Sequence, residues 1–131
     1  MRFVQHIVLE TGPDGRARFR EERIPLDAGD ARVRLSRAVE AAELQFRESP
    51  VGFRSPVHVT TRPQWVFILS GVMEIGLPDG TTRRFAAGEH FYSADTLPDG
   101  VEFDPAVHGH WSRQVGEQPL KTLFVRADQG P

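Results

Sequence analysis

Hydrophobic and polar positions alternate in short runs along this chain, separated by breaks rich in glycine and proline. Residues 3–9 have a strand-like composition and end in Thr11-Gly12-Pro13-Asp14-Gly15, a dense turn signal. A more polar strand follows over 16–24, so the two runs predict an N-terminal hairpin. Leu44 and Phe46 alternate with Glu43, Gln45 and Arg47, the period-two pattern of a half-buried strand. Ser49-Pro50-Val51-Gly52 breaks it. Further strands are predicted over 65–70, 72–77, 81–85, 89–93 and 120–126, with a tight turn at Pro78-Asp79-Gly80. Residues 94–107 carry Pro98, Gly100 and Pro105 and read as a loop with one short strand at 101–103. Residues 32–42 stay open between two readings. Ala38, Ala41 and Ala42 favour a helix, whereas Val33 and Leu35 alternating with Arg32, Arg34 and Ser36 suit extended chain. Short strands at this spacing predict an all-β sandwich or barrel.

The run Trp65-Val-Phe-Ile-Leu-Ser70 is apolar on both faces. Gln64, Val66, Ile68 and Ser70 share one face; Trp65, Phe67 and Leu69 share the other. An antiparallel sheet with one wet face would carry polar residues on it. The Trp65 face therefore requires a cover, either the N-terminal hairpin or a second copy of the chain, and a homodimer is expected on this ground.

Composition narrows the picture. The 131 residues suit a single domain spanning 1–131, and 12 Gly with 10 Pro, spread without a period, mark turns rather than a helical bundle. A formal net charge of −2 with scattered basic residues does not suggest nucleic-acid binding. Cysteine is absent, which excludes thiolate nucleophiles, disulfides and Cys-ligated metal. Residues 1–11 lack a signal-peptide core, and no apolar run approaches the ~20 residues that span a bilayer. A cytoplasmic protein without membrane partners is the expectation.

Candidate chemistry lies between Gly52 and Gly71, which read Gly52-x5-His58-x-Thr60-x3-Gln64-x6-Gly71. This resembles the first motif of the cupin superfamily, G-x5-H-x-H-x3,4-E-x6-G. Spacing matches at every step, while Thr60 stands at the second histidine and Gln64 at the glutamate. Gly88-Glu89-His90-Phe91 resembles the opening of the second motif. Small bacterial cupin-2-like proteins are similar further along: His58-Val-Thr-Thr-Arg62-Pro-Gln64, Asp95-Thr96, Gly109-His110 and Val115-Gly116-Glu117-Gln118-Pro119 follow their pattern, over about residues 1–127. The resemblance implies a double-stranded β-helix, the cupin (RmlC-like) jelly-roll barrel, here with an N-terminal hairpin.

It also implies a ligand set. In the second motif, Pro98-Asp99-Gly100 would place Phe103 at the histidine, whereas Gly109-His110 fits the relatives better and puts Gln114 at the asparagine. His58, Gln64 and His110 are then the candidate metal ligands, with His108 a fourth if 108–110 is a strand, where both rings point the same way. Thr60, Arg62, Val66, Ile68 and Phe103 are expected around the pocket. A divalent transition metal (iron, manganese, nickel or zinc) is the implied cofactor, and the missing carboxylate leaves its charge uncompensated. The expectation divides between a weak or altered metal site and a metal-free polar pocket.

Blander roles stand beside these. His6 and His90 lie outside the motif and read as surface or packing residues; Arg62 suits either an anionic substrate or a solvated strand end. Asp95 suits orienting His110, acting as a base, or capping a turn. Trp111 and Tyr92 suit the pocket mouth or plain packing, and residues 97–107 a lid or a fixed rim. Three functions remain: a small-molecule enzyme using a divalent metal, with His110 or Asp95 moving a proton; a metal-free isomerase or lyase with His58 and His110 as acid and base; and a non-catalytic binder of a small ligand. The enzyme readings are preferred.

Overall fold

The computed structural model describes residues 2–130. The Gly12–Gly15 turn reverses the chain so that β1 (Phe3–Thr11) and β2 (Ala17–Pro25) pair from Phe3↔Pro25 to Thr11↔Ala17, the expected hairpin. Asp14 accepts a hydrogen bond from the Arg16 N–H at 3.0 Å, and Gly15 supplies the left-handed φ of +81° that the turn needs. β3 (Ala28–Gly29) and β4 (Arg34–Leu35) form a two-residue ladder whose turn is capped by the Asp30 carboxylate. Beyond it, residues 36–42 form no helix and no strand.

β5 (Glu43–Ser49), β6 (Gln64–Ser70), β7 (Val72–Gly76), β8 (Thr82–Ala86), β9 (His90–Ala94), β10 (Trp111–Val115) and β11 (Leu120–Arg126) complete the fold. One sheet runs β2-β1-β9-β6-β11-β5; the other runs β10-β7-β8 and is extended by the Arg54↔Arg113 and His58↔His110 bridges. The two inner faces meet over Leu9, Val66, Ile68, Ile75, Phe85, Phe91 and Leu120. Phe85, Leu9, Ile68 and Leu120 are among the largest side chains fully removed from solvent. Chain connectivity between the two facing sheets, antiparallel except for the β1–β9 pairing, gives the all-β jelly roll expected.

Four expectations change. β5 is a strand, but the face expected to be buried is open: Leu44 and Phe46 are 63% and 68% exposed. Alternation buries a face only when something packs on it, and β5 sits at the sheet edge with none of the described residues covering its Leu44 side. Residues 101–103 form no strand. β10 was not anticipated, because Trp111-Ser-Arg-Gln-Val115 has no apolar run; cross-strand pairing holds it instead. Buried Glu74 on β7 accepts from Arg84 of β8 at 2.9 Å and Arg113 of β10 at 2.7 Å, and these guanidiniums hold its carboxyl below the ordinary range. Finally, the hairpin does not lie over the Trp65 face. It joins the same sheet edge to edge, through parallel pairing of Val8 with Tyr92. Trp65 is buried among Val8, Tyr92 and Ala127, with Val39 of the irregular segment against them, while Leu69 stays 48% exposed.

Candidate functional site

A cavity of about 470 Å³ opens between the two sheets at one end of the barrel. Its sides are apolar, from Phe53, Val66, Met73, Ile75, Phe91 and Phe124, and its polar groups come from both sheets. A concave, largely apolar space with a few convergent polar groups is the usual form of a small-molecule site. A second hollow, between residues 37–42 and 127–130, is bounded by irregular chain and gathers no histidine.

Two histidines face each other across the cavity wall. His58 and His110 exchange both backbone hydrogen bonds at 2.9 Å, so they are directly opposed and their side chains share a face. Their ring centroids lie 4.7 Å apart. Gly109 makes this approach possible: with φ +83°, a Cβ there would stand 2.5 Å from the His58 carbonyl oxygen.

Each ring is fixed by what its Nδ1 meets. His110 Nδ1 lies 2.8 Å from Asp95 Oδ2, with His110 4% and Asp95 1% exposed. The carboxylate accepts, so Nδ1 donates, and in the neutral imidazole Nε2 carries the lone pair. Asp95 is held in turn: Thr11 Oγ1 donates to its Oδ1 at 2.7 Å. The parallel β1–β9 pairing supplies that contact by placing Glu10 beside Ala94. His58 Nδ1 lies 2.8 Å from the Pro56 carbonyl, again an acceptor only, so Nδ1 donates and the neutral ring carries its lone pair on Nε2. Burial pushes the His58 imidazole below its ordinary pKa and the neighbouring His110 adds to this, against the Pro56 hydrogen bond and the Asp95 charge. Neither Nε2 has a hydrogen-bond partner within the protein among the described residues, although both rings line the cavity.

Other polar groups surround the pair. Thr60 and Ser93, both buried, share a hydrogen bond at 2.7 Å, which leaves one hydroxyl proton of the two to donate elsewhere. Ser55 and Ser112 lie beside His58 and tie the 54–58 segment to β10. Gln64 also lines the cavity. Gln114, at the place of the second motif's asparagine, spans Gly52 N–H and the Gly116 and Gln118 carbonyls and holds the turn rather than the pocket.

Placement of the remaining candidates is mixed. Thr60 and Val66 line the cavity. Ile68 points inward but is buried deeper in the core. Arg62 lies on the surface near Glu43 and Asp128, and Phe103 is 38% exposed beside His108. His108 does not join His110. Residues 104–108 form a turn in which His108 Nδ1 accepts from the Asp104 N–H, and the left-handed Gly109 ends the period-two alternation that would have aligned the rings. His6 and His90 are packing residues of the outer face: His6 is fully buried, and its Nδ1 lies 3.0 Å from His90 Nε2.

The donor set falls short of a metal centre. Among the described residues no three His, Asp or Glu side chains gather to hold an ion. Asp95 is committed to His110 and Thr60 to Ser93, and beside two imidazoles the third donor is an amide oxygen where the usual three-ligand sites carry another imidazole, a carboxylate or a thiolate. As arranged, the residues fit proton transfer better than coordination. Thr11, Ser93 and Ser112 went unrecognised in the sequence; Thr11 lies 84 residues from the aspartate it holds, and no local spacing signals that contact.

No family model matches the chain, and neither does any curated protein. Among solved structures it is similar to the cupin domain of Schizosaccharomyces pombe Cnp3, at 15% identity and TM-score 0.48, over 97% of this chain and 84% of that one. Gly88–Phe91 pairs with β6 in the six-stranded sheet, while His58 of the Gly52–Gly71 segment crosses to the other sheet, so both segments border the cavity within an all-β jelly roll.

Proposed function

We propose that this chain is a small-molecule enzyme that moves a proton with His110 as the catalytic base, without a metal. The observation that carries the reading is the buried relay Thr11–Asp95–His110, which leaves the His110 Nε2 lone pair facing the cavity. A buried aspartate on Nδ1 fixes the imidazole tautomer and stabilises the imidazolium that forms when Nε2 takes a proton.

The step is a proton shift next to a carbonyl. His110 Nε2 removes a proton from the carbon, the C–H electron pair moves into the adjacent carbonyl, and the same imidazolium returns the proton to carbon. The free hydroxyl proton of the Thr60–Ser93 pair, which lines the same cavity, donates to the developing oxyanion in this reading. His58, neutral, accepts a hydrogen bond from substrate through Nε2 and so orients it. Isomerase and lyase chemistry both begin with this step. A second copy of the chain against the exposed Leu44, Phe46 and Leu69 belongs to the same proposal as its partner.

Deuterium incorporation in D2O tests it, with 2-oxobutyrate, dihydroxyacetone and cyclohexanone as carbon-acid probes followed by proton NMR. The expected result is protein-dependent exchange into at least one probe that disappears in His110→Ala. Exchange no faster than buffer for all three, or exchange unchanged in His110→Ala, overturns the reading.

A further inference from the structure

The cavity carries one charged side chain that the acid–base step does not use. Arg47, on β5, lines the same cavity as His58 and His110, and no Asp or Glu lines it with them. Among the described residues no carboxylate lies within ion-pair distance of Arg47. Glu43, which lines an adjoining hollow with Arg47, is engaged by Arg126 at 3.4 Å and Arg62 at 4.0 Å. Asp95 is spent on His110.

The guanidinium is also held in place. Its carbon stands 3.9 Å from the centroid of the Phe124 ring, and its Nε donates to Gln45 Oε1 at 2.9 Å. Phe124 pairs with Gln45 and Val66 across the sheet, so ring and guanidinium share the inner face with the cavity. With Nε occupied, the Nη1 and Nη2 groups remain as a planar fork. Such a fork matches the two oxygens of a carboxylate, and stacking on an aromatic ring reduces the freedom lost on binding.

We infer that the cavity takes a small organic carboxylate, with its anionic end on Arg47 at the mouth and its body directed between the phenylalanines toward His58 and His110. A phosphate fits less well. One guanidinium supplies one charge, the described residues contain no helix whose N-terminus would add donors, and the walls are apolar. The inference rests on the reading of this cavity as the substrate site and adds the class of substrate; Arg47 is a binding residue here and takes no part in proton transfer.

Benzoate and benzamide, alike in shape and different in charge, test it in titrations of the whole protein followed by NMR, with inorganic phosphate as a third probe. Benzoate is expected to bind at least ~tenfold more tightly than either benzamide or phosphate, as loss of one charge-assisted pair implies. Arg47→Gln should erase that preference and Arg47→Lys should keep part of it; Arg47 is exposed, so both variants should melt near wild type. With an exchanging 2-oxo acid, Arg47→Gln should raise KM by about tenfold and leave kcat nearly unchanged. Equal affinity for benzoate and benzamide, phosphate binding as tight as benzoate, or Arg47→Gln binding like wild type overturns the inference. If His110-dependent exchange persists without carboxylate preference, this inference fails and the acid–base reading stands. Carboxylate preference without exchange gives the reverse.

Discussion

His110 and Asp95 form a buried pair in which the imidazole Nδ1 donates to the carboxylate at 2.8 Å, fifteen residues apart in sequence and on opposite sides of the 97–107 loop. Asp95→Asn replaces an acceptor with an amide that can also donate, and the His110 tautomer is no longer dictated. We expect nitrogen NMR of His110 to lose its single Nδ1–H signature, and exchange to fall by roughly 10²–10⁴-fold, the usual scale of general base catalysis. Thr11→Val, which removes the hydroxyl shared between Asp95 Oδ1 and the Thr96 carbonyl, should cost about 1 kcal/mol of stability and leave the tautomer intact. An unchanged His110 spectrum in Asp95→Asn would show that Asp95 does not orient the base.

The outer face carries its own pH sensitivity. His6 is fully buried against His90, Trp65 and Tyr92, and burial, with the His90 charge adding to it, lowers its pKa to about 4. Glu22, 3.8 Å from Nε2, opposes the shift, while Arg20 reinforces it. A histidine whose folded pKa lies below the unfolded 6.5 stays neutral in the native state while the unfolded chain takes up a proton. Stability is therefore full above pH 6.5 and falls as pH drops toward 4, by something on the order of 2 kcal/mol from this group. His58 and His90 shift in the same direction and add to the loss. Melting temperatures from pH 7.5 to 4.5 check it: His6→Phe should flatten the slope, and a variant with the wild-type slope would assign the effect elsewhere.

Gly109 couples backbone to site. Any side chain there must adopt φ +83° and meet the His58 carbonyl oxygen at 2.5 Å. Gly109→Ala is expected to cost at least ~2 kcal/mol and to separate the two histidine rings. Gly100→Ala has a positive φ but nothing within 4 Å of its added Cβ, so it serves as the control and should cost less. Comparable losses in the two would remove the close contact as the cause.

Much of this was legible in the residues, for identifiable reasons. The spacing of Gly52, His58, Gln64 and Gly71 is set by one crossing from sheet to sheet, so it survives in the sequence and marks the cavity. Period two also told which residues of 64–70 point inward, and Val66 and Ile68 do. What failed to read through depends on long-range pairing. The same alternation that buries Val66 leaves Leu44 and Phe46 open, because strand order decides which strand is at the edge. β10 is polar enough to escape hydropathy and is held by Glu74 from a neighbouring strand. His108 looked equivalent to His110 only so long as the glycine between them was taken as extended chain.

Edge exposure yields a prediction of its own. Leu44, Phe46 and Leu69 lie on the outer face of the six-stranded sheet, since Phe46, Leu123 and Phe67 are paired in one row and Leu44, Val125 and Trp65 in the next. A second copy against this face would bury them. Light scattering at micromolar concentration should give a dimer, and Phe46→Asp should give a folded monomer. A wild-type monomer would leave the face uncovered and reject the dimer.

The central claim is that His110 itself moves the proton. Deuterium exchange by protein stripped with a chelator, its metal content measured before and after, tests this most directly. Full exchange by the stripped protein is expected, abolished by His110→Ala and unaffected by added divalent ions. Exchange lost on stripping and restored by zinc, manganese, nickel or iron would contradict it.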